Sequence, residues 1–360
     1  MIYIFVIVYT IIMAYVYKCN YIWRKTKRLT TSKLSKIAFF MVMILPAVLV
    51  SGVRYGISVD YTKIYERGFA QITFSSSNTV GFEIGFYYLV KICGYVIDQP
   101  WFMFLVISSI IIVLFFISIE ESSNYLMSVV LLFGVGLYFD SFNGIRQYLV
   151  VAIFMYAFRF IKSGDWKKYF IIMSLSAFLH TSALFTLPIY FLSKAKINKI
   201  YAIIAAVFFN VFSKKLYQIV VSIMMIIPRY NEYIVRNTLK NQISFSLSGM
   251  VMALMALVPC LLVERKMNEK AEGRLLYNMV LLGVIVASCT SFLPLAERIL
   301  YYTKSYIVFA VPYACCCLPK GRNSAIIKIL IPMMFSGLTI AGMLLYNWYA
   351  VLPYVSIFSR

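Results

Sequence analysis

Four short stretches of this chain carry side chains able to hold a phosphorylated sugar or to move a proton. Arg54-Tyr-Gly-Ile-Ser-Val-Asp60-Tyr61 places a guanidinium and a carboxylate among aromatic rings. A guanidinium grips phosphate oxygens through paired hydrogen bonds, and a tyrosine ring gives a sugar a stacking face. The same stretch could equally be an interfacial anchor with an ion pair of its own. Asn143-Gly-Ile-Arg146-Gln147 opens an apolar run, so Arg146 stands in the first turn of a helix, where backbone N–H groups lack partners. A cation there opposes the helix dipole, which makes helix stabilisation a weak reason for it; a pyrophosphate would suit the arginine and the helix end together. His180 is the one histidine, between Phe178-Leu179 and Thr181-Ser182. It reads either as a hydrogen-bonded structural residue or as an acid, base or phosphate donor. Glu297-Arg298 is either a self-satisfied pair or places Arg298 as a second phosphate contact.

The elements that must position these residues are membrane helices. Of 360 residues, 62% are hydrophobic and only 13% charged, more apolar than a soluble domain can bury. A hydrocarbon core about 30 Å thick takes about 20 apolar residues per helix. Runs near that length fall at about 2–19, 37–53, 101–119, 125–139, 145–161, 169–192, 200–212, 245–263, 275–293, 299–318 and 325–346. The predicted fold is therefore an all-α polytopic integral membrane protein of about 11–14 transmembrane or partly inserted helices, with residues 1–360 forming a single transmembrane domain. The first run has no charged head and no small-residue cleavage site, and reads as a retained span. The seven cysteines show no metal-ligand or disulfide spacing.

The formal charge of +21 points to topology and anionic lipid, and no nucleic acid partner is expected, because the cations sit mainly between apolar runs. Arg24, Lys25, Lys27, Arg28, Lys33 and Lys36 assign the first loop to the cytoplasm. The segments 162–168, 194–199 and 264–274, with Lys320 and Arg322, follow the same rule. Satisfying all of them turns 54–100 into an outer-face loop with an interfacial helix over 84–97. Residues 169–192 become a short helical hairpin turning near His180, and 214–243 an outer-face loop or lid around Pro228-Arg-Tyr-Asn-Glu. Arg54, Asp60, Glu66, Arg67, Glu83, Asp140, Arg146, His180, Arg229, Glu232, Glu297 and Arg298 then all fall on or close to the outer side. Charges that converge at a membrane face from separate helices tend to line a functional path.

No Walker loop, no dinucleotide fingerprint and no transition-metal cluster is present, so neither a cofactor nor a metal is expected. Taken in order, Arg54-Tyr-Gly…Asp60-Tyr61, Glu83-Ile-Gly-Phe, Ile145-Arg146-Gln147-Tyr-Leu, Phe178-Leu-His180-Thr-Ser182-Ala and Glu297-Arg298…Tyr301-Tyr302 resemble the EpsG family of bacterial Wzy-type polysaccharide polymerases. The resemblance covers about residues 50–302, with Pro353-Tyr354 as a further echo.

Membership implies a membrane-embedded C-type glycosyltransferase, inverting or retaining. It would move a growing glycan from undecaprenyl diphosphate to the non-reducing end of a lipid-linked repeat unit. The resemblance places it in the bacterial inner membrane with its site toward the periplasm, and makes a chain-length regulator a plausible partner. It implies that Arg54, Arg146 and Arg298 bind diphosphate. Tyr55, Tyr61, Gln147, Ser182 and Tyr302 would accompany them in binding diphosphate or sugar. Asp60 and Glu83 would orient or deprotonate the acceptor hydroxyl, and His180 would be an acid/base or a phosphate ligand. Three other readings are an O-antigen ligase, which shares the donor, a flippase, which moves the lipid-linked unit without chemistry, and a non-catalytic assembly subunit, whose sign would be tolerance of Ala at Arg54, Arg146 and His180. A flippase favours internal repeats and charges spread through both leaflets, whereas the candidate residues gather on one side.

Overall fold

The computed structural model describes residues 1–26, 33–75, 78–226, 246–293 and 296–359. It is 80% helical and contains no strand among those residues. Lys27, Arg28 and the stretch Pro228-Arg-Tyr-Asn-Glu lie outside the described residues.

The chain opens with α1 (Ile2–Thr26) and α2 (Lys33–Gly52). A π-helical turn, Tyr61–Glu66, then runs directly into α3 (Arg67–Phe74). α4 (Ile84–Val96) stands where the sequence predicts an interfacial helix, and α5 (Pro100–Ile119) begins with proline in its first turn, where a missing N–H costs nothing. The predicted run 125–139 is two helices, α6 (Tyr125–Gly134) and α7 (Leu137–Asp140), because Gly136 takes a left-handed φ of 82° between them. α8 (Ile145–Ser163) ends on Gly164 at φ 76°, and Asp165 caps α9 (Trp166–Ser176) by accepting from the Lys168 N–H at 3.2 Å. The run 169–192 breaks at the expected place: α9 stops at Ser176 and a 3-10 helix, Thr181–Ser193, follows.

Beyond it come α10 (Lys199–Val211) and α11 (Ser213–Ile226). The sequence assigns 214–243 to a loop or lid, yet residues 213–226 are helical, with Leu216, Val220 and Ile223 spaced at one turn of a helix. The polar Lys214, Lys215 and Gln218 mask that spacing. α12 (Leu247–Leu262), α13 (Glu264–Glu269) and α14 (Ala271–Cys289) follow, then α15 (Ala296–Ser305) and α16 (Ile307–Cys317), one predicted span interrupted at Tyr306. α17 (Arg322–Tyr346) leads to a short 3-10 turn, Trp348–Ala350.

Among the described residues, five helical segments are long and apolar enough to cross a bilayer alone: Ile2–Asn20, α2, α5, α14 and α17. α10 and the part of α11 through Ile223 qualify together, bent by 77°. Shorter apolar helices make up much of the rest, α4, α6 and α12 among them.

The contacts divide the chain into two compact units: Met1–Leu184 with Lys328–Arg360, and Phe185–Ile327. In the first, α5 packs against both α2 and α8 and buries Met103, Phe104, Ile107, Ile111 and Phe115. Such all-round apolarity suits a helix that packs partly against protein and partly against the membrane. In the second, α14 is the central element, packed against α10, α12 and α15. Its buried Asn278 donates from Nδ2 to the carbonyls of Leu192 (2.7 Å) and Ala195 (2.9 Å), satisfying orphan acceptors where the 3-10 helix ends.

Gly52 fixes the approach of α2 to α5. A Cβ there would lie 2.8 Å from the Leu105 Cα, an atom that cannot rotate away. Gly52→Ala is therefore expected to destabilise the purified protein by about 1–3 kcal/mol through overpacking. A lowered apparent Tm in a detergent unfolding assay would show it, and an unchanged Tm would mean that the two helices have slack.

Candidate active site

Glu83 caps α4 without bonding to the α4 backbone through its side chain, which leaves both carboxylate oxygens for other partners. Oε2 accepts from Arg146 Nη1 at 2.7 Å, and Oε1 lies 2.6 Å from His180 Nδ1. The Thr181 N–H also donates to Oε1, at 3.3 Å. Three segments thus meet at one carboxylate: the head of α4, the first turn of α8 and the break between α9 and the 3-10 helix. The break makes this geometry available. His180 closes the last turn of α9 by donating its N–H to the Ser176 carbonyl at 3.0 Å, and Thr181, first residue of the 3-10 helix, keeps an N–H free of the preceding helix. Gly85 allows the close approach: its N–H donates to the Phe178 carbonyl at 2.8 Å, and a Cβ there would lie 2.8 Å from that same oxygen.

The cluster is mostly enclosed, with side chains of Arg146, Glu83 and His180 18%, 15% and 9% exposed. Burial alone raises a carboxyl pKa; here the His180 hydrogen bond and the Arg146 charge outweigh it and hold Glu83 down to about 2. Glu83 is therefore ionised and acceptor-only at neutral pH, so the proton between it and His180 resides on Nδ1. That fixes the tautomer: Nε2 of the neutral ring is the basic nitrogen, and it has no hydrogen-bond partner among the described residues. The Arg146 guanidinium lies over the Phe82 ring at 4.8 Å and the Phe86 ring at 5.9 Å, and its buried Nε has no partner among the described residues.

Arg54 is placed differently. It is fully buried just past α2, with its guanidinium between the rings of Phe104 and Phe142, each 4.9 Å away. Nη1 donates to the Ser51 carbonyl and to Ser108 Oγ (3.3 Å), and Nη2 to the Phe142 carbonyl at 3.2 Å. Burial draws its pKa down to about 10, which leaves it charged at neutral pH. In this conformation the guanidinium that the sequence assigns to a diphosphate is occupied by protein carbonyls.

Tyr61 is also buried, stacked on Phe104 at 4.3 Å, and Tyr55 meets it edge-on at 5.9 Å. Asp60 precedes the π-helical turn, and its carbonyl accepts from both Ile64 (3.1 Å) and Tyr65 (3.2 Å). Gln147 and Ser182, each beside a member of the cluster in sequence, are buried. Arg298 and Tyr302 belong to the second unit, the former exposed in the first turn of α15 and the latter fully buried.

Some contributors escape motif reading. Phe82 supplies the face beneath Arg146, and Tyr65 receives the Arg146 N–H on its hydroxyl at 3.5 Å. Their signals were adjacency to Glu83 and the four-residue step from Tyr61, both indistinguishable from ordinary aromatic packing.

Because the folded state holds Glu83 below its ordinary value of 4.5, ionised Glu83 adds stability above that pH, and the contribution fades as pH falls through about 2. Glu83→Gln is expected to lower the apparent Tm at pH 7, and the gap to wild type should close between about pH 4.5 and 2. A gap constant across that range would mean the carboxylate is not held by Arg146 and His180.

Among curated proteins and among solved structures nothing matches the chain. A protein-family model, that of the EpsG family, matches residues 37–356, which takes in every residue of the cluster and most of both units. The chain belongs to the EpsG family.

Proposed function

We propose that this protein is a polysaccharide polymerase, a membrane glycosyltransferase that extends lipid-diphosphate-linked glycans, and that Glu83, Arg146 and His180 form its reacting centre. The carrying observation is the single carboxylate that fixes both an imidazole and a guanidinium in a site largely closed to solvent. The substrates are a growing glycan on undecaprenyl diphosphate and a lipid-linked repeat unit, acting at the periplasmic face of the bacterial inner membrane.

The acceptor hydroxyl loses its proton to Nε2 of His180. Its oxygen bonds to the anomeric carbon of the donor sugar, and the bond from that carbon to the phosphate oxygen breaks, the electron pair leaving with the lipid diphosphate. The imidazolium so formed rests against the Glu83 carboxylate, which stabilises it as a buried acid does for a catalytic histidine. Arg146 faces the leaving diphosphate with the N–H groups that Glu83 does not take, at a helix N-terminus that favours anions. Preorganised charge of this kind does its work without rearranging as the bond breaks.

The test is the size distribution of surface and lipid-linked glycan in a host with this gene deleted and then restored with variants. His180→Ala and Arg146→Ala are expected to insert normally and to collapse the ladder to a single repeat unit, transfer falling about 10²–10⁴-fold for loss of the base. A wild-type ladder from His180→Ala overturns the assignment. Long chains left on the carrier lipid in the deletion strain would indicate a ligase, and units stranded at the cytoplasmic face a flippase.

A further inference from the structure

Asn143 lies in the turn between α7 and α8, three residues before Arg146, and its side chain bridges two segments remote in sequence. Oδ1 accepts from the Val59 N–H at 3.1 Å, and Nδ2 donates to the Tyr349 carbonyl at 2.6 Å. Val59 immediately precedes Asp60 and the π-helical turn. Tyr349 belongs to the segment after α17, which folds back over the residues following α2. Tyr55 N–H donates to the Val355 carbonyl (2.9 Å), Ile357 N–H to Val53 (3.0 Å) and Ser58 N–H to Ala350 (3.1 Å), with Arg54 and Ser356 as an isolated antiparallel bridge.

Backbone strain gathers at the same place. Ser58, Asn347, Tyr349 and Ala350 all have positive φ, at 88°, 47°, 70° and 49°. Non-glycine residues persist in that region when their surroundings over-determine them, typically where a ligand or catalytic group must be held. The surroundings here are concrete. The Tyr349 ring stacks on Phe139 at 5.8 Å, and its hydroxyl lies so near Gly136 that a Cβ there would clash with it. Asn143 itself is held by its own turn, its N–H donating to the Asp140 carbonyl at 3.0 Å.

We infer that Asn143 is a positioning residue for the transfer reaction. Its amide sets the peptide before Asp60 against the head of the Arg146 helix, and the 347–357 strap braces it from the far side. This rests on the transferase reading of the Arg146 cluster. One carboxamide satisfies an N–H from one loop and a carbonyl from another, a pairing that aspartate cannot reproduce because it lacks the donor.

Two readouts test it: amide hydrogen exchange of the purified protein in lipid nanodiscs, and kinetics with lipid-linked repeat units extracted from the host. Asn143→Ala is expected to speed exchange in peptides covering 55–60 and 347–352 and to lower kcat about tenfold to hundredfold, the scale of a misplacement near 1 Å, with KM within about twofold. Asn143→Asp keeps the Val59 bond, so it should loosen 347–352 but not 55–60. Faster exchange with unchanged kcat would overturn the catalytic part, and slower transfer without faster exchange would overturn the clamp. His180→Ala run alongside separates the two ideas: if it transfers like wild type the enzyme reading fails, while the exchange data still report on the clamp.

Discussion

The carboxylate of Glu83 is the constraint around which the first unit is organised. It takes hydrogen bonds from Arg146, His180 and Thr181, so α4, α8 and the break after α9 converge on one pair of oxygens. Remove its charge, and the Arg146 guanidinium is left in a largely enclosed setting without its counter-anion while His180 Nδ1 loses its acceptor. Losing one partner of a largely buried pair is costly because the other charge stays behind. The small residue at position 85, the interruption of the helix at 177–180 and the aromatic floor of Phe82 and Phe86 serve the same contact.

The two arginines solve the same problem by different means. Arg146 is neutralised by a carboxylate and keeps part of its guanidinium near solvent, whereas Arg54 is wholly enclosed and is solvated by carbonyl oxygens, a serine hydroxyl and two phenylalanine faces. Cation–π contacts strengthen when water is excluded, which suits the second arrangement. Arg54 reaches the Phe142 carbonyl, four residues before Arg146, and thereby ties the end of α2 to the approach of α8. It holds the frame in which the other arginine is displayed.

The helices were legible because burial in a membrane demands long apolar runs, and α2, α5, α8 and α17 fall within a few residues of their predicted ends. The breaks at Gly136 and Tyr306 were not, since apolarity continues across both while the backbone bends. α11 was hidden for the opposite reason, its polar residues masking a helical spacing. Within the site, charge placement put positions 83, 146 and 180 on one side of the membrane, and the family motifs singled out Glu83 among the carboxylates there. The burial of Arg54 could not be foreseen. Whether an arginine after a span points into water or into protein depends on what folds over it, and what folds over it lies at the other end of the chain. Asn143 left no trace, because an asparagine before glycine reads as an ordinary turn.

That distance has a consequence for biosynthesis. The Tyr354 hydroxyl donates to the Val50 carbonyl across 304 residues, and the strap reaches the segment after α2 only once the helices between them have been made. Loop-closure cost grows slowly with length, so the equilibrium penalty for so remote a contact is modest. The kinetic penalty is of another kind, since a nascent chain is assembled from its N-terminal end and distant pairings must wait. A ribosome-bound intermediate would already carry Glu83, Arg146 and His180 while the loop before Asp60 still lacked its brace. Bracing of the segment before Asp60 is thus coupled to synthesis of the strap, so a fragment released before it would hold Glu83, Arg146 and His180 without that brace.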